Sequence, residues 1–225
     1  MIMIPEEEAK KRIAKRISKE FTASDEDVTI NLGVGIPTLV VNYIDTNNVY
    51  IQTENGMLGV GPIACEGQMD INLINAGRQP VTETMGCCYI DSATAFGMIR
   101  GAHIDSTVIG AFEVDQEANI ANWIIPNGKQ LGVGGAMDLI SGVKKVIVAM
   151  QHTNKNGKPK IVKKCSLPIT GVGAADIIVT ELAVFCFENG RLTLKEIAPE
   201  ATIDIIRNLT EAEFEVSPLL KVMGI

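Results

Sequence analysis

Val28-Thr29-Ile30-Asn31-Leu32-Gly33-Val34-Gly35-Ile36-Pro37-Thr38 runs a β-branched, mostly apolar segment straight into two glycines and a proline. The first five residues suit a short buried strand. The glycines suit a tight turn, and Pro37 suits the first turn of a helix that continues to about Ile44. A strand that leaves through a glycine turn into a helix is the start of a crossover, the connection that joins parallel strands. The same order recurs further along the chain. After the Asn47-Asn48 turn, Val49–Thr53 is β-rich. Asp70–Asn75, Thr107–Val114, Lys145–Met150, Ile177–Thr180, Ala183–Phe187 and Leu192–Ile197 form further β-type runs, with helical patterns at Asp91–Arg100 and Thr202–Phe214. Upstream, Pro5–Phe21 places Ala9, Ile13, Ile17 and Phe21 at steps of four among Lys10, Lys11, Lys15, Arg16 and Lys19, which predicts an amphipathic helix with a solvated basic face. The fold class is therefore α/β, a mainly parallel sheet flanked by helices.

The 225 residues, 46% apolar and 21% charged, support a large buried core and fit one domain over residues 1–225. Aromatic residues are only 4%, so that core is built from Ile, Val, Leu, Ala and Met. A net charge of −7 repels polyanions, which argues against general nucleic-acid binding but leaves room for a local phosphate pocket. No apolar stretch approaches the roughly 20 residues of a membrane span, and Met-Ile-Met-Ile-Pro followed by three glutamates resembles neither signal peptide nor anchor. The five cysteines (65, 87, 88, 165 and 186) show no Cys-x-x-Cys spacing, and His103 and His152 share no metal-ligand spacing. A reduced, cytoplasmic protein without metal, nucleic-acid or membrane partners is expected.

Three segments are candidates for chemistry. Gly33-x-Gly35 after a strand invites a dinucleotide reading, with Glu54 near the position of a ribose-binding acid, but Thr38 stands where that fingerprint has its third glycine. A NAD-dependent oxidoreductase is therefore a minor alternative. Glu-Asn-Gly occurs twice. At 188–190 it joins two β-type runs as a type I′ hairpin turn. At 54–56 it is followed by Met57-Leu58-Gly59-Val60-Gly61-Pro62, which lacks the alternation of a partner strand, so Glu54 is expected in a glycine-rich bend and a dry niche. Such a carboxylate can serve as a turn residue or as a nucleophile. Gly132-Val133-Gly134-Gly135-Ala136-Met137-Asp138, after a Pro126-Asn127-Gly128 turn and before a helical pattern at Met137–Ser141, fits either a tight loop or a cradle of amides for an anion.

Taken in order, these segments resemble the β subunit of the family I, 3-oxoacid type, coenzyme A transferases. The resemblance runs through 31–37, 53–59, Asn75-Ala76-Gly77-Arg78, Phe96-Gly97-Met98-Ile99-Arg100-Gly101, 134–139, 167–171, Thr180-Glu181 and Val216-Ser217-Pro218, nearly the whole chain. It implies the fold shared by those transferases and sugar-phosphate isomerases. It implies Glu54 as nucleophile of a ping-pong exchange through a glutamyl-CoA thioester, with coenzyme A as substrate and covalent intermediate and no permanently bound cofactor. Asn31, Arg78, Gly134, Gly135 and Ala136 fall on coenzyme A-binding positions, Arg78 standing where relatives often carry Lys. An α-type subunit is implied as partner in a hetero-oligomer, α2β2 or larger, with acetyl-, butyryl- or acetoacetyl-type substrates foremost and succinate or 3-oxoadipate also open. A non-catalytic binding or regulatory subunit on the same scaffold is the second reading. Outside these positions, Cys87 and Cys88 are expected as buried thiols, Lys144–Lys145 and Lys155–Lys164 as solvated loops, and Glu181 as a structural hydrogen-bonding group.

Overall fold

The computed structural model describes residues 4–22, 26–44, 47–124 and 132–224. The Pro126-Asn127-Gly128 turn lies outside them. Helix α1 (Glu6–Ser18) precedes β1 (Val28–Leu32), a 3-10 helix (Ile36–Tyr43), the hairpin strands β2 (Val49–Thr53) and β3 (Met57–Ile63), then β4 (Val81–Tyr89), α2 (Ser92–Arg100) and β5 (Ser106–Gly110). Two short strands, β6 (Glu113–Asp115) and β7 (Ile120–Ala121), lead to α3 (Ala136–Gly142), β8 (Lys145–Ala149) and β9 (Ile161–Val162). The chain continues through β10 (Ile177–Val179), β11 (Ala183–Glu188), β12 (Arg191–Ile197), α4 (Ile203–Asn208) and β13 (Glu215–Val222).

Ten of these strands form one sheet in the order β13-β12-β11-β10-β8-β5-β1-β2-β3-β4, and β7-β6-β9 form a small second sheet. The centre, β10-β8-β5-β1-β2, is parallel throughout. Hairpins add antiparallel wings on both sides. The expected parallel α/β class holds, and the hairpin turn at 188–190 is present, with Asn189 at φ 52° and Gly190 at φ 75°, as type I′ geometry requires.

Alternation within the central strands shows that both faces are covered. Val146 and Val148 of β8 and Ile178 of β10 join one apolar cluster, whereas Ile147, Ala149, Ile177 and Val179 join the other. Helix α1 seals the latter face with Ala9, Ile13, Ile17 and Phe21, each at 4% exposure or less. Each isoleucine buried in this way contributes about 1.5–3 kcal/mol. The basic side of α1 is less solvated than its pattern suggests. Arg16, 8% exposed, pairs bidentately with Glu196 at 2.7 and 2.9 Å and with Glu20 at 2.9 Å, and Glu20 also binds Lys145 at 2.8 Å. Arg12 pairs with Glu200.

Four sequence expectations change. Ile36–Tyr43 is a 3-10 helix, because β-branched Ile36, Thr38, Val40 and Val41 crowd an α-helical turn and the Thr38 hydroxyl closes on the Gly35 carbonyl at 2.7 Å. Asp70–Asn75 is a turn in which Asp70 Oδ1 accepts from the Asn72 backbone N–H and Nδ2 at 2.8 and 3.0 Å. The 107–114 run divides into β5 and β6. The helix after Thr202 stops at Asn208, and Thr210 turns inward to meet the ring of His152 at 3.0 Å.

His152 is fully buried, its other ring nitrogen 2.9 Å from the Thr180 hydroxyl, and burial lowers its pKa to about 4. Glu181 has the structural role expected of it, accepting from the His152 backbone N–H at 2.9 Å. Cys87 is only half-buried and Cys88 is exposed, because their strand, β4, lies at the sheet edge. Lys155, Lys158, Lys163 and Lys164 are exposed as expected, but Lys160 is half-buried and desolvation lowers its pKa to about 8.

Candidate active site

In open α/β sheets, ligands approach the carboxyl ends of the parallel strands where successive connections diverge. Here β1 has β2 on one side and β5 on the other. Asn31 lies near the carboxyl end of β1, and Glu54 follows the last residue of β2. Thr53 pairs with Met57, so Glu54-Asn55-Gly56 is a three-residue hairpin loop and Met57–Ile63 is a true partner strand. The expected contrast between the two Glu-Asn-Gly copies therefore disappears. β3 shows no polar alternation because it is an inner strand, and Gly59 and Gly61 allow β4 to approach closely. A Cβ on Gly59 would stand 2.9 Å from Cys87 Cα, and one on Gly61 2.9 Å from the Thr82 carbonyl oxygen.

The loop is held from both flanks. Asn55 Nδ2 donates to the Ile74 carbonyl at 3.0 Å, and the Ile90 N–H donates to the Gly56 carbonyl at 2.9 Å. Gly56 has φ 118°, and any side chain on it would strike the Ile90 carbonyl. Glu54 itself is half-buried in this chain, more open than the dry niche expected.

Its carboxylate is positioned by Asn31, whose Nδ2 donates to Glu54 Oε2 at 3.1 Å. Asn31 is fully buried, and its Oδ1 has no hydrogen-bond partner. The other carboxylate oxygen faces Gly135, where an added Cβ would lie 3.4 Å from Glu54 Oε1, 3.4 Å from its Cγ and 3.4 Å from Phe96 Cζ. Gly135 is buried, Ala136 half-buried and Gly134 exposed with φ 54°. Behind this segment Arg100 of α2 binds Asp138 of α3 at 2.7 Å and lies 5.7 Å from the Phe96 ring centre.

Of the residues singled out by sequence, Asn31, Glu54 and Gly135 meet directly, with Gly134 and Ala136 on either side of Gly135. Arg78 lies in the neighbouring Asn75–Gln79 turn, exposed, at φ 61°, its backbone N–H bonded to the Asn75 carbonyl at 2.9 Å. That turn adjoins the Glu54 loop through the Asn55–Ile74 bond, and no contact joins Arg78 to Glu54. Two further residues escaped the sequence reading. Phe96 forms a wall, and Gln52, fully buried, accepts from Asn31 Nδ2 through both its backbone oxygen at 3.1 Å and its side-chain oxygen at 2.9 Å. Two-residue alternation back from Glu54 was the available signal for Gln52. Among the described residues, no cluster of three or more His, Cys, Asp or Glu could hold a metal, and no helix is long and apolar enough to cross a membrane.

A parallel sheet that presents a hydrogen-bonded glutamate against a glycine loop is the arrangement on which comparison with known proteins converges. The profile of the coenzyme A transferase family matches residues 10–209, and the chain belongs to that family. It is 48% identical over 211 residues to one of the two subunits of a probable succinyl-CoA:3-ketoacid coenzyme A transferase of Bacillus subtilis, covering 93% of this chain and 96% of that one. It is 45% identical to the beta subunit of the acetate CoA-transferase of Escherichia coli, covering 93% of this chain and 95% of that one. Among solved structures, an acyl-CoA transferase (YdiF) of E. coli O157:H7 superimposes with a TM-score of 0.75 at 23% identity, over all of this chain and 44% of the other.

Proposed function

We propose that this chain is the β-type half of a CoA transferase, one domain over residues 1–225, that moves coenzyme A from a short-chain acyl-CoA to a carboxylate acceptor through a thioester on Glu54. The Glu54 carboxylate attacks the acyl-CoA carbonyl, the C–S bond breaks, and CoA thiolate leaves behind a mixed acyl-glutamyl anhydride. The thiolate attacks the glutamyl carbonyl, the bridging C–O bond breaks, and the first carboxylate departs from a glutamyl-CoA thioester. A second carboxylate attacks that thioester and expels CoA thiolate. The thiolate attacks the new acyl carbonyl, which frees Glu54 and releases the new acyl-CoA. Each step exchanges one anion for another, so the cycle closes with no net proton and conserves the thioester bond.

The observation that carries this reading is the Asn31–Glu54 hydrogen bond facing a glycine surface with no side chain to block approach. Asn31 fixes one carboxylate oxygen. The Gly134-Gly135-Ala136 backbone lies where an oxyanion develops and the pantetheine arm passes. Arg78, exposed on the adjoining turn, supplies positive charge to the cofactor side of the cleft. The half-open Glu54 is covered by an α-type subunit that completes the acyl pocket in an α2β2 or larger assembly. Acetyl-, butyryl-, acetoacetyl- and succinyl-type groups are the substrates proposed, in line with the names of the relatives.

The test uses the chain co-expressed with its α-type partner. After incubation with acetyl-CoA or succinyl-CoA, intact and peptide mass measurement should find CoA on the peptide containing Glu54, and hydroxylamine should remove it. A competent complex that transfers CoA with Glu54 unmodified throughout refutes the mechanism. A complex that binds acyl-CoA without transferring it supports the regulatory-subunit reading instead.

A further inference from the structure

We infer that Gln52 is a positioning residue that holds the Asn31 amide in its donating orientation throughout the cycle, an inference resting on the reading of Glu54 as nucleophile. Gln52 and Asn31 are direct cross-strand partners on β2 and β1, and both are fully buried. The Ala95 carbonyl of α2 can only accept, and it faces Gln52 Nε2 at 3.3 Å. That sets the Gln52 side chain with Oε1 toward Asn31, so Asn31 must present Nδ2 and not Oδ1.

Asn31 Nδ2 has two hydrogens for three acceptors, namely the Gln52 backbone oxygen at 3.1 Å, Gln52 Oε1 at 2.9 Å and Glu54 Oε2 at 3.1 Å. Two of the three belong to Gln52. When the Glu54 carboxylate becomes an anhydride or thioester it loses its charge and accepts more weakly. The Gln52 pair keeps Nδ2 in place during those steps, so the donor is still aligned when carboxylate is regenerated. Asn31 Oδ1, buried and unpartnered, shows how one-sided the arrangement is: the amide gives up one of its hydrogen-bonding groups to keep the other aimed at Glu54.

The experiment follows single-turnover formation of the Glu54–CoA adduct in the complex with the α-type partner. Gln52→Met, similar in volume but without the amide, should slow adduct formation about tenfold or more while leaving the KM for acyl-CoA unchanged. Introduced into an Asn31→Ala background, the same change should cause no further slowing, because Gln52 acts through Asn31. An equal penalty in both backgrounds overturns the inference. If Gln52→Met prevents assembly, Gln52→Glu keeps the shape but removes the donor to Ala95 and places a second carboxylate across Asn31 from Glu54. It should move the acid limb of kcat/KM to higher pH by about one unit, and an unmoved limb overturns the inference. Absence of any adduct in the unsubstituted complex would instead bring down the nucleophile reading itself.

Discussion

Replacing Gly135 by alanine separates chemistry from folding at one position. Gly135 has φ −82°, a conformation open to any residue, so the backbone accepts the change without strain. The new methyl would lie 3.4 Å from Glu54 Cγ, 3.4 Å from Oε1 and 3.4 Å from Phe96 Cζ, at the tight end of ordinary contact. The cost to stability should stay below about 1 kcal/mol, because no neighbouring atom has to move far. A thioester carbon must come within about 3–3.5 Å of the attacking oxygen, however, and misplacement by about 1 Å costs about a hundredfold. Gly135→Ala should therefore lower kcat/KM about a hundredfold, with the complex assembled and the melting temperature nearly unchanged. The assay follows loss of acyl-CoA thioester absorbance with a carboxylate acceptor, alongside a thermal melt. Turnover within about threefold of the parent, in a folded complex, would refute the assignment of Gly135 to the approach path.

Glu54→Gln preserves the bond length to Asn31 but removes the nucleophile. It should cost on the order of 10⁴-fold or more in kcat, measured with the same assay, and leave no CoA adduct in the mass spectrum. His152, buried neutral with its pKa lowered to about 4 from 6.5, protonates in the unfolded chain first. Its contribution is complete above about pH 6.5 and is lost as pH falls toward 4, a change of about 3 kcal/mol. Urea unfolding of the parent and of His152→Gln across that range should show the extra pH slope only in the parent. Arg16→Met leaves Glu196 and Glu20 facing each other without their shared cation. It should lower stability by about 3 kcal/mol in a denaturant titration, with little effect on turnover per folded molecule.

The central strands are legible in sequence because β1, β5, β8 and β10 are apolar runs buried on both faces, and α1 because its apolar residues recur at steps of four. β4 carries Thr82, Glu83, Thr84 and Gly86 at a free sheet edge, where no hydrophobic signal is needed, and Met85 there is 98% exposed. β13 holds Pro218, which a central strand excludes and an edge strand tolerates. At the site, Glu54 stood out through its glycine neighbours and the family resemblance, but local pattern misread its setting, since Met57–Ile63 imitates an irregular bend while pairing as a strand. Gln52 was silent because its work is done across the sheet, against Asn31 and Ala95, residues 21 and 43 positions away in sequence.

Helix α1 is translated first and finished last. Arg12 and Arg16 find their carboxylate partners 188 and 180 residues downstream, and Met223, 1% exposed, fills the same apolar cluster as Ile13 and Ile17. While the ribosome is still making the intervening strands, the greasy side of this helix has no permanent cover, and chaperones or stray chains can reach it. Closing so long a loop makes late, slow consolidation the expected route of folding, and it ties the yield of native protein to completion of the final strand.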